Sequence, residues 1–259
     1  MFLPTTLKEV RARGWDELDV IIFSGDAYID HPAFGPAVIG RILEAEGYRV
    51  AIVPQPNWRD DLRDFTKLGK PRLFFAVSAG AMDWMVNHYT ANLRLRSNDA
   101  YTPGGKAGFR PDRAIDTYTK ILKRLYPHTP VVVGGIEASL RRLTHYDYWS
   151  DKLQRSVLAT SGADLLIYGM GDKPIREVAK SLRNGFNMKL LRGLRQVGFL
   201  ADKEYVERLY NGKTIVLNTF EECVEDKHKF GENFCHIEQL SNMMGCTTTL
   251  VEQVDDRYV

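Results

Sequence analysis

The chain has 259 residues, 44% of them hydrophobic, which suffices for one large or two small cores and is too apolar for a disordered polymer. Its 35 basic and 33 acidic side chains leave a formal charge of +2, so no overall field favours nucleic acid or an anionic membrane. No apolar run approaches the ~20 residues that span a bilayer. Met1–Thr6 lacks signal-peptide character, and three cysteines (Cys223, Cys235, Cys246) cannot build a disulfide framework, so a reducing, cytoplasmic setting is expected.

Asp19–Gly25 is short, β-branched and ended by glycine, the pattern of a buried strand. Gly35-Pro36 opens a helix, proline suiting its first turn, and Val38, Ile39, Ile42 and Leu43 follow at helical spacing. Tyr48–Val53 reads as a second strand, Arg59–Leu68 as a short helix and Arg72–Ser78 as a third strand. Residues 87–110 break the rhythm. They are polar, glycine-containing and without period, a loop length that is uncommon inside a compact domain and often functional. A helix resumes after Pro111, with Ala114, Ile115, Tyr118, Ile121, Leu122 and Leu125 on one face. Pro130–Gly135 is the fourth strand, residues 137–160 are partly helical, and Ala163–Gly169 is the fifth strand. Pro174 opens a last amphipathic helix that Gly185 ends.

Five apolar strands, each followed by a helix, predict a doubly wound α/β domain over residues 1–185. Its sheet is mostly parallel, flavodoxin-like and covered on both faces. Past Gly185 the patterning weakens, and residues 186–259 are expected as an extension leaning on that domain.

Such sheets bind ligands beyond the carboxyl ends of their strands, near the point where strand order reverses. The polar and glycine-rich stretches fall at those ends. After strand one, Asp26, Tyr28, Asp30 and His31 offer carboxylates and an imidazole for acid–base work, or an Asx turn that merely shapes the loop. A metal there would need His88 or His145 as well, and no C-x-x-C or H-x-x-x-H spacing is present. After strand four come Gly134, Gly135 and Glu137, then Arg141, Arg142, His145, Tyr146 and Asp147. These could hold an anionic or aromatic ligand, or the arginines could simply pair with Glu137, Asp147 or Asp151. The long loop adds Asn87, His88, Tyr89, Asn92, Arg94, Arg96 and Tyr101 as a lid or docking surface. There is no G-x-G-x-x-G, Walker A or G-x-S-x-G motif, and the cysteines, 12 and 11 positions apart, match no compact cluster loop.

Gly25–Pro32 with Ile39-Gly40-Arg41, Asp99–Gly105, Arg110–Ala114, and above all Gly134–Arg142 through His145–Trp149 resemble the N-terminal region of the YgiQ family of radical-SAM proteins. The resemblance is densest over residues 15–175. It implies an N-terminal domain ahead of a radical-SAM barrel of the same polypeptide. In that barrel a C-x-x-x-C-x-x-C motif holds a [4Fe–4S] cluster whose open iron binds S-adenosylmethionine. The present sequence lacks that motif and ends at Val259, so it reads as one piece of a longer enzyme, with no metal ligand, cofactor or catalytic residue expected in it.

A second similarity, strand–Gly134-Gly135 with strand–Gly169-Met170-Gly171-Asp172, is to the cobalamin-binding-type domain. Its D-x-H-x-x-G ligand loop is not matched by Asp30-His31-Pro32-Ala33-Phe34-Gly35. Coordination through His31 is therefore not expected, and corrinoid binding without a protein ligand stays open. The expected role is the front half of a radical-SAM enzyme, whose rim of loop residues binds substrate or cofactor or docks on the barrel. A corrinoid-binding module and a purely structural interaction domain are the alternatives.

Overall fold

The computed structural model describes residues 1–209 and 213–259. The apolar runs become β1 (Val20–Ser24), β2 (Val50–Pro54), β3 (Phe74–Ser78) and β4 (Val131–Gly134). A small antiparallel hairpin, β5 (His145–Asp147) with β6 (Lys152–Gln154), precedes β7 (Leu165–Ile167). The parallel strands lie in the order β2-β1-β3-β4-β7, the predicted flavodoxin-like arrangement. The sheet has a sixth strand that the sequence does not announce: β8 (Val197–Gly198) pairs antiparallel with β7, Ile167 facing Val197. Two residues are too short to show a period.

Helices cover both faces. In chain order they are α1 (Leu7–Ala12), α2 (Gly35–Ala45), α3 (Arg63–Thr66), α4 (Trp84–His88), α5 (Ala114–Leu125), α6 (Ile136–Leu140), α7 (Val157–Ser161) and α8 (Asp172–Arg183). Successive strand residues point to opposite faces. Ile21, Phe23, Phe75 and Val77 pack with Phe65, Tyr118 and Leu122 in one core, and Val20, Ile22, Ile52 and Phe74 pack with Leu43, Ile175 and Val178 in the other. With both faces buried, the strands need apolar residues at every position, which is why they read as unbroken runs.

Two segments differ from expectation. The helix expected over 59–68 shrinks to α3 because Asp60 and Asp61 accept hydrogen bonds from the Leu62 and Arg63 amides, local turns that compete with helix. Residues 87–110 are ordered by their own pairings, with antiparallel bridges at Tyr89–Leu95 and Asn98–Lys106 and a short turn at Pro103–Gly105.

Beyond α8, Leu191 enters the second core, and Ala201, Val206 and Val251 form a small third cluster with Phe199, Tyr205 and Tyr258. This region carries α9 (Lys203–Leu209), α10 (Phe220–Glu225) and α11 (Lys227–Ser241), and the parallel pair β9 (Thr214–Val216) and β10 (Thr249–Val251). It is tied back to the β5–β6 hairpin. The Thr144 amide donates to the buried Glu252 carboxylate at 2.8 Å, and Arg155 pairs with Asp255 at 2.9 Å.

Candidate functional site

The loops leaving β1 and β3 meet at the point where strand order reverses, and they meet tightly. A Cβ on Gly25 would stand 2.0 Å from the Ala79 carbonyl, and one on Gly80, at φ +115°, 2.1 Å from Asp26 Oδ1. Glycine at both positions lets Asp26 sink to 1% exposure, where it accepts from the Ala81 amide at 2.6 Å. Burial raises its pKa to about 6, while the Ala81 N–H and the Arg110 guanidinium restrain the rise.

Arg110 fills the crevice. Its Nη1 donates to Asp26 Oδ1 at 3.1 Å, to the Ala79 carbonyl at 2.8 Å and to the Met82 carbonyl at 3.2 Å. Its Nε donates to His88 Nε2 at 3.1 Å. His88 Nδ1 stands 2.7 Å from Asp112 Oδ1, and the Tyr89 hydroxyl donates to the other Asp112 oxygen at 2.8 Å. Beside this chain of contacts lies a cavity of about 340 Å³ between residues 87–117 and the loop after β2. The cavity wall is pinned across: Trp58 Nε1 donates to the Phe109 carbonyl at 3.2 Å and Arg59 to the Gly108 carbonyl at 2.9 Å.

The rim residues named from sequence occupy separate places. Asp30 turns to Arg41 of α2, whose Nε donates to it at 3.0 Å, and that hydrogen bonding holds its carboxyl below the usual range. Tyr28 accepts from the Leu3 amide at 3.1 Å, and His31 is exposed, its Nδ1 accepting from the Ala33 amide at 3.1 Å. Asp30 and His31 line a different groove, along α2 with Arg176. Gly134 and Gly135 turn the chain into α6, Gly135 at φ +90° with its absent Cβ only 2.8 Å from Ser78 Oγ.

Glu137 is 1% exposed. One oxygen accepts from the Ile115 amide at 3.0 Å, the other has no partner among the described residues, and burial raises its pKa to about 7. Arg141 grips Asp83 with both terminal nitrogens, one at 3.1 Å. Arg142 donates to the Ser139 carbonyl at 2.6 Å and lies over the Tyr168 ring. His145 donates from Nδ1 to the Leu143 carbonyl at 3.1 Å, and burial lowers its pKa to about 4. Tyr146 donates to Asp151, while buried Asp147 pairs with Arg113 and accepts from the Trp149 amide at 2.9 Å.

Asp26, Glu137, Arg141 and Arg110 thus share one buried charged neighbourhood, while Asp30 and His31 stand apart. Sequence reasoning left Arg110, Asp112, Arg113, Asp83 and Trp58 out of the site residues. The Arg110–Ala114 stretch was the available signal for the first three.

A second feature of this face is apolar. Ile29 after β1, Val86, Leu93 and Leu95 after β3, Ile136, Leu140, Tyr146 and Tyr148 after β4, and Met170 after β7 are all exposed, Leu140 by 56% and Met170 by 79%.

A [4Fe–4S] cluster does not fit the residues present. Cys223 is buried against Asn233 Nδ2 at 3.3 Å, Cys235 is exposed and Cys246 half-buried. Among the described residues, no three His, Cys, Asp or Glu side chains are grouped to hold a metal ion, and no helix is long and apolar enough to cross a membrane.

The sheet order, the tight crevice and the capping loops define an α/β domain of the doubly wound class. A family profile described as Radical SAM N-terminal matches residues 2–259, and the chain belongs to that family, in keeping with its YgiQ-like motifs. It is 62% identical over 248 residues to a UPF0313 protein of Porphyromonas gingivalis, covering 93% of this chain and 38% of that protein. It is 57% identical over 269 residues to a UPF0313 protein of Bacteroides thetaiotaomicron, covering 100% and 43% respectively. The chain therefore spans about two fifths of the length of these relatives. Among solved structures, the radical S-adenosylmethionine methyltransferase TsrM from Kitasatospora setae, with cobalamin and a [4Fe-4S] cluster bound, aligns at a TM-score of 0.44 and 19% identity. That alignment covers 72% of this chain and 29% of TsrM.

Proposed function

We propose that this chain is the front domain of a radical-SAM enzyme and that the carboxyl face of its sheet packs on the catalytic domain carried by the rest of the polypeptide. In this reading residues 1–185 are the α/β body and 186–259 the extension. The [4Fe–4S] cluster and S-adenosylmethionine belong to the remainder of the protein. The reading is carried by the exposed apolar side chains on the loops after β1, β3, β4 and β7. Large apolar side chains gathered at one end of a fold are unfavourable in water and mark a surface that another surface covers. The free cysteines suit a cytoplasmic setting. Corrinoid coordination through His31 has no comparable feature, since His31 lies on the surface and engages its own loop.

Hydrogen exchange in this chain and in the full-length protein tests the reading. Residues 86–95 and 136–140 are expected to exchange more slowly in the full-length protein. Leu140→Asp with Met170→Asp should return them to the rate of the isolated chain, whose own stability moves within about 0.5 kcal/mol, as for surface substitutions. Equal exchange of the rim in both proteins would end the docking reading.

A further inference from the structure

The overall charge of +2 hides an uneven distribution. Residues 173–195 carry seven basic side chains and one acidic, Glu177, a formal +6 that leaves −4 on the rest of the chain. Four of the seven lie on α8 as Lys173, Arg176, Lys180 and Arg183, at positions i, i+3, i+7 and i+10. That spacing sets them on one helix face, in a stripe about 15 Å long. All four are exposed, because Ile175, Val178 and Ala179 take the opposite face of α8 into the second core. The chain then turns back through Met188–Gly193, with Leu191 in the same core, and adds exposed Lys189 and Arg195. Both legs meet the carboxyl rim: α8 starts just after Met170, and Gln196, next to Arg195, donates to the Met170 carbonyl at 3.3 Å. Arg183 marks the other end, over the ring of Tyr48, which stands just before β2.

Few of these cations are engaged within the fold. Among the described residues the side chains of Lys173, Lys180, Lys189 and Arg195 have no hydrogen bond or ion pair, and Arg176 pairs only with Glu46, at 3.4 Å. Arg192 is the exception, held over Phe199 and Tyr205 with Nη2 on the Leu200 carbonyl at 2.8 Å. Like charges gathered and left unpaired repel one another, so an extended polyanion is the partner that relieves them. What accompanies the charge narrows the class. The exposed face of α8 carries no large apolar side chain, which a helix lying in a lipid surface needs. Two stand out between the legs instead, Phe186, 51% exposed, and Leu190, 64% exposed. A row of unpaired cations beside an aromatic ring fits a phosphodiester backbone whose bases are free to stack. We propose that α8 and the turn after it bind a single-stranded nucleic acid, its phosphates along Lys173, Lys180, Arg183 and Lys189 and one base on Phe186. The bound strand runs beside the carboxyl rim, and the proposal does not rest on domain docking there.

The probe is a fluorescein-labelled oligouridylate of about 12 nucleotides, followed by anisotropy with this chain and with the full-length protein. Saturable binding is expected in both, weakening about 100-fold between roughly 50 and 200 mM KCl, as for about five phosphate contacts. Lys180→Gln with Lys189→Gln should weaken it about 25-fold at about 0.1 M salt and lower the salt slope by about 1.4, with Tm unchanged. Lys67→Gln with Lys120→Gln removes the same charge beside α3 and α5, whose Phe65 and Tyr118 pack in the first core, across the sheet from α8. That variant should bind within about twofold of the parent, since remote exposed charges are screened. Phe186→Ala should cost about tenfold and leave the salt slope as it was. Vesicles of phosphatidylcholine with phosphatidylserine, about three to one, should bind more weakly than the oligouridylate. Absent saturation, binding that ignores salt, equal losses in the two lysine double variants, parental affinity in Phe186→Ala, loss of binding in the full-length protein, or tighter binding to the vesicles would each overturn the assignment.

Discussion

Arg110 Nε donates to His88 Nε2 at 3.1 Å, and this contact fixes where the imidazole keeps its proton. A guanidinium has no lone pair to offer, so His88 Nε2 must accept. The ring proton on Nδ1 is donated to Asp112, so the imidazole is held at both nitrogens. One arginine therefore organises the β1–β3 crevice through Asp26 and the cavity wall through His88.

Removing that arginine should unfold the crevice from within. Arg110→Met leaves Asp26 buried beside apolar side chains and is expected to cost about 3–5 kcal/mol at pH 8. The loss should shrink at pH 5, where Asp26, with a pKa already raised to about 6, takes up a proton. Urea unfolding at the two pH values measures this. A variant as stable as the parent at pH 8 would show that the pair does not hold the loops.

Stability should fall as pH rises from 5.5 to 8. Asp26, Glu137 and Glu252 bind protons more tightly when folded, with pKa values of about 6, 7 and 7, because burial disfavours their charged forms. Their contribution is complete below about pH 4, the unfolded carboxyl range, and is lost as pH climbs through 6 and 7. His145 runs the other way, its folded value of about 4 costing stability as pH drops below about 6.5. Three carboxyls outweigh one imidazole by a few kcal/mol. Glu137→Gln should flatten the dependence by about 2 kcal/mol in denaturant unfolding. An unchanged slope would remove Glu137 from the account.

Thiol labelling should separate the three cysteines. Cys235 is exposed, whereas Cys223 is 1% exposed and burial pushes its thiol up to about 11. Iodoacetamide followed by mass spectrometry is expected to modify Cys235 first and to reach Cys223 only after unfolding. Equal rates at the two positions would contradict the packing of Cys223 against Asn233.

Much of the fold was legible because burial on both faces of a parallel sheet writes itself as continuous Val, Ile and Phe runs. Val20–Phe23 and Val131–Val133 are examples. β8 escaped because two residues carry no pattern, and α3 was overestimated because Asp60 and Asp61 turn the chain where apolar spacing suggests helix. The rim loops were legible as polar, glycine-rich strand ends, but the pairings within them were not. Asp26 meets Arg110 across 84 residues and Arg141 meets Asp83 across 58, and no local periodicity encodes such partners. Asp30 had the look of a rim acid, yet Arg41, nearly two turns into α2, draws it aside.

The Thr144–Glu252 contact sets a clock on biosynthesis. Its two ends are 108 residues apart, and a ribosome adding about 5–20 residues per second leaves the Thr144 amide without its acceptor for roughly 5–20 s. The sheet's five parallel strands are complete by Ile167, so the body can condense while the hairpin after β4 still lacks its buried carboxylate. The segment around Glu252 then closes after the sheet, as a latch over strands already paired, and the β5–β6 hairpin reaches its resting position only when translation has passed Glu252.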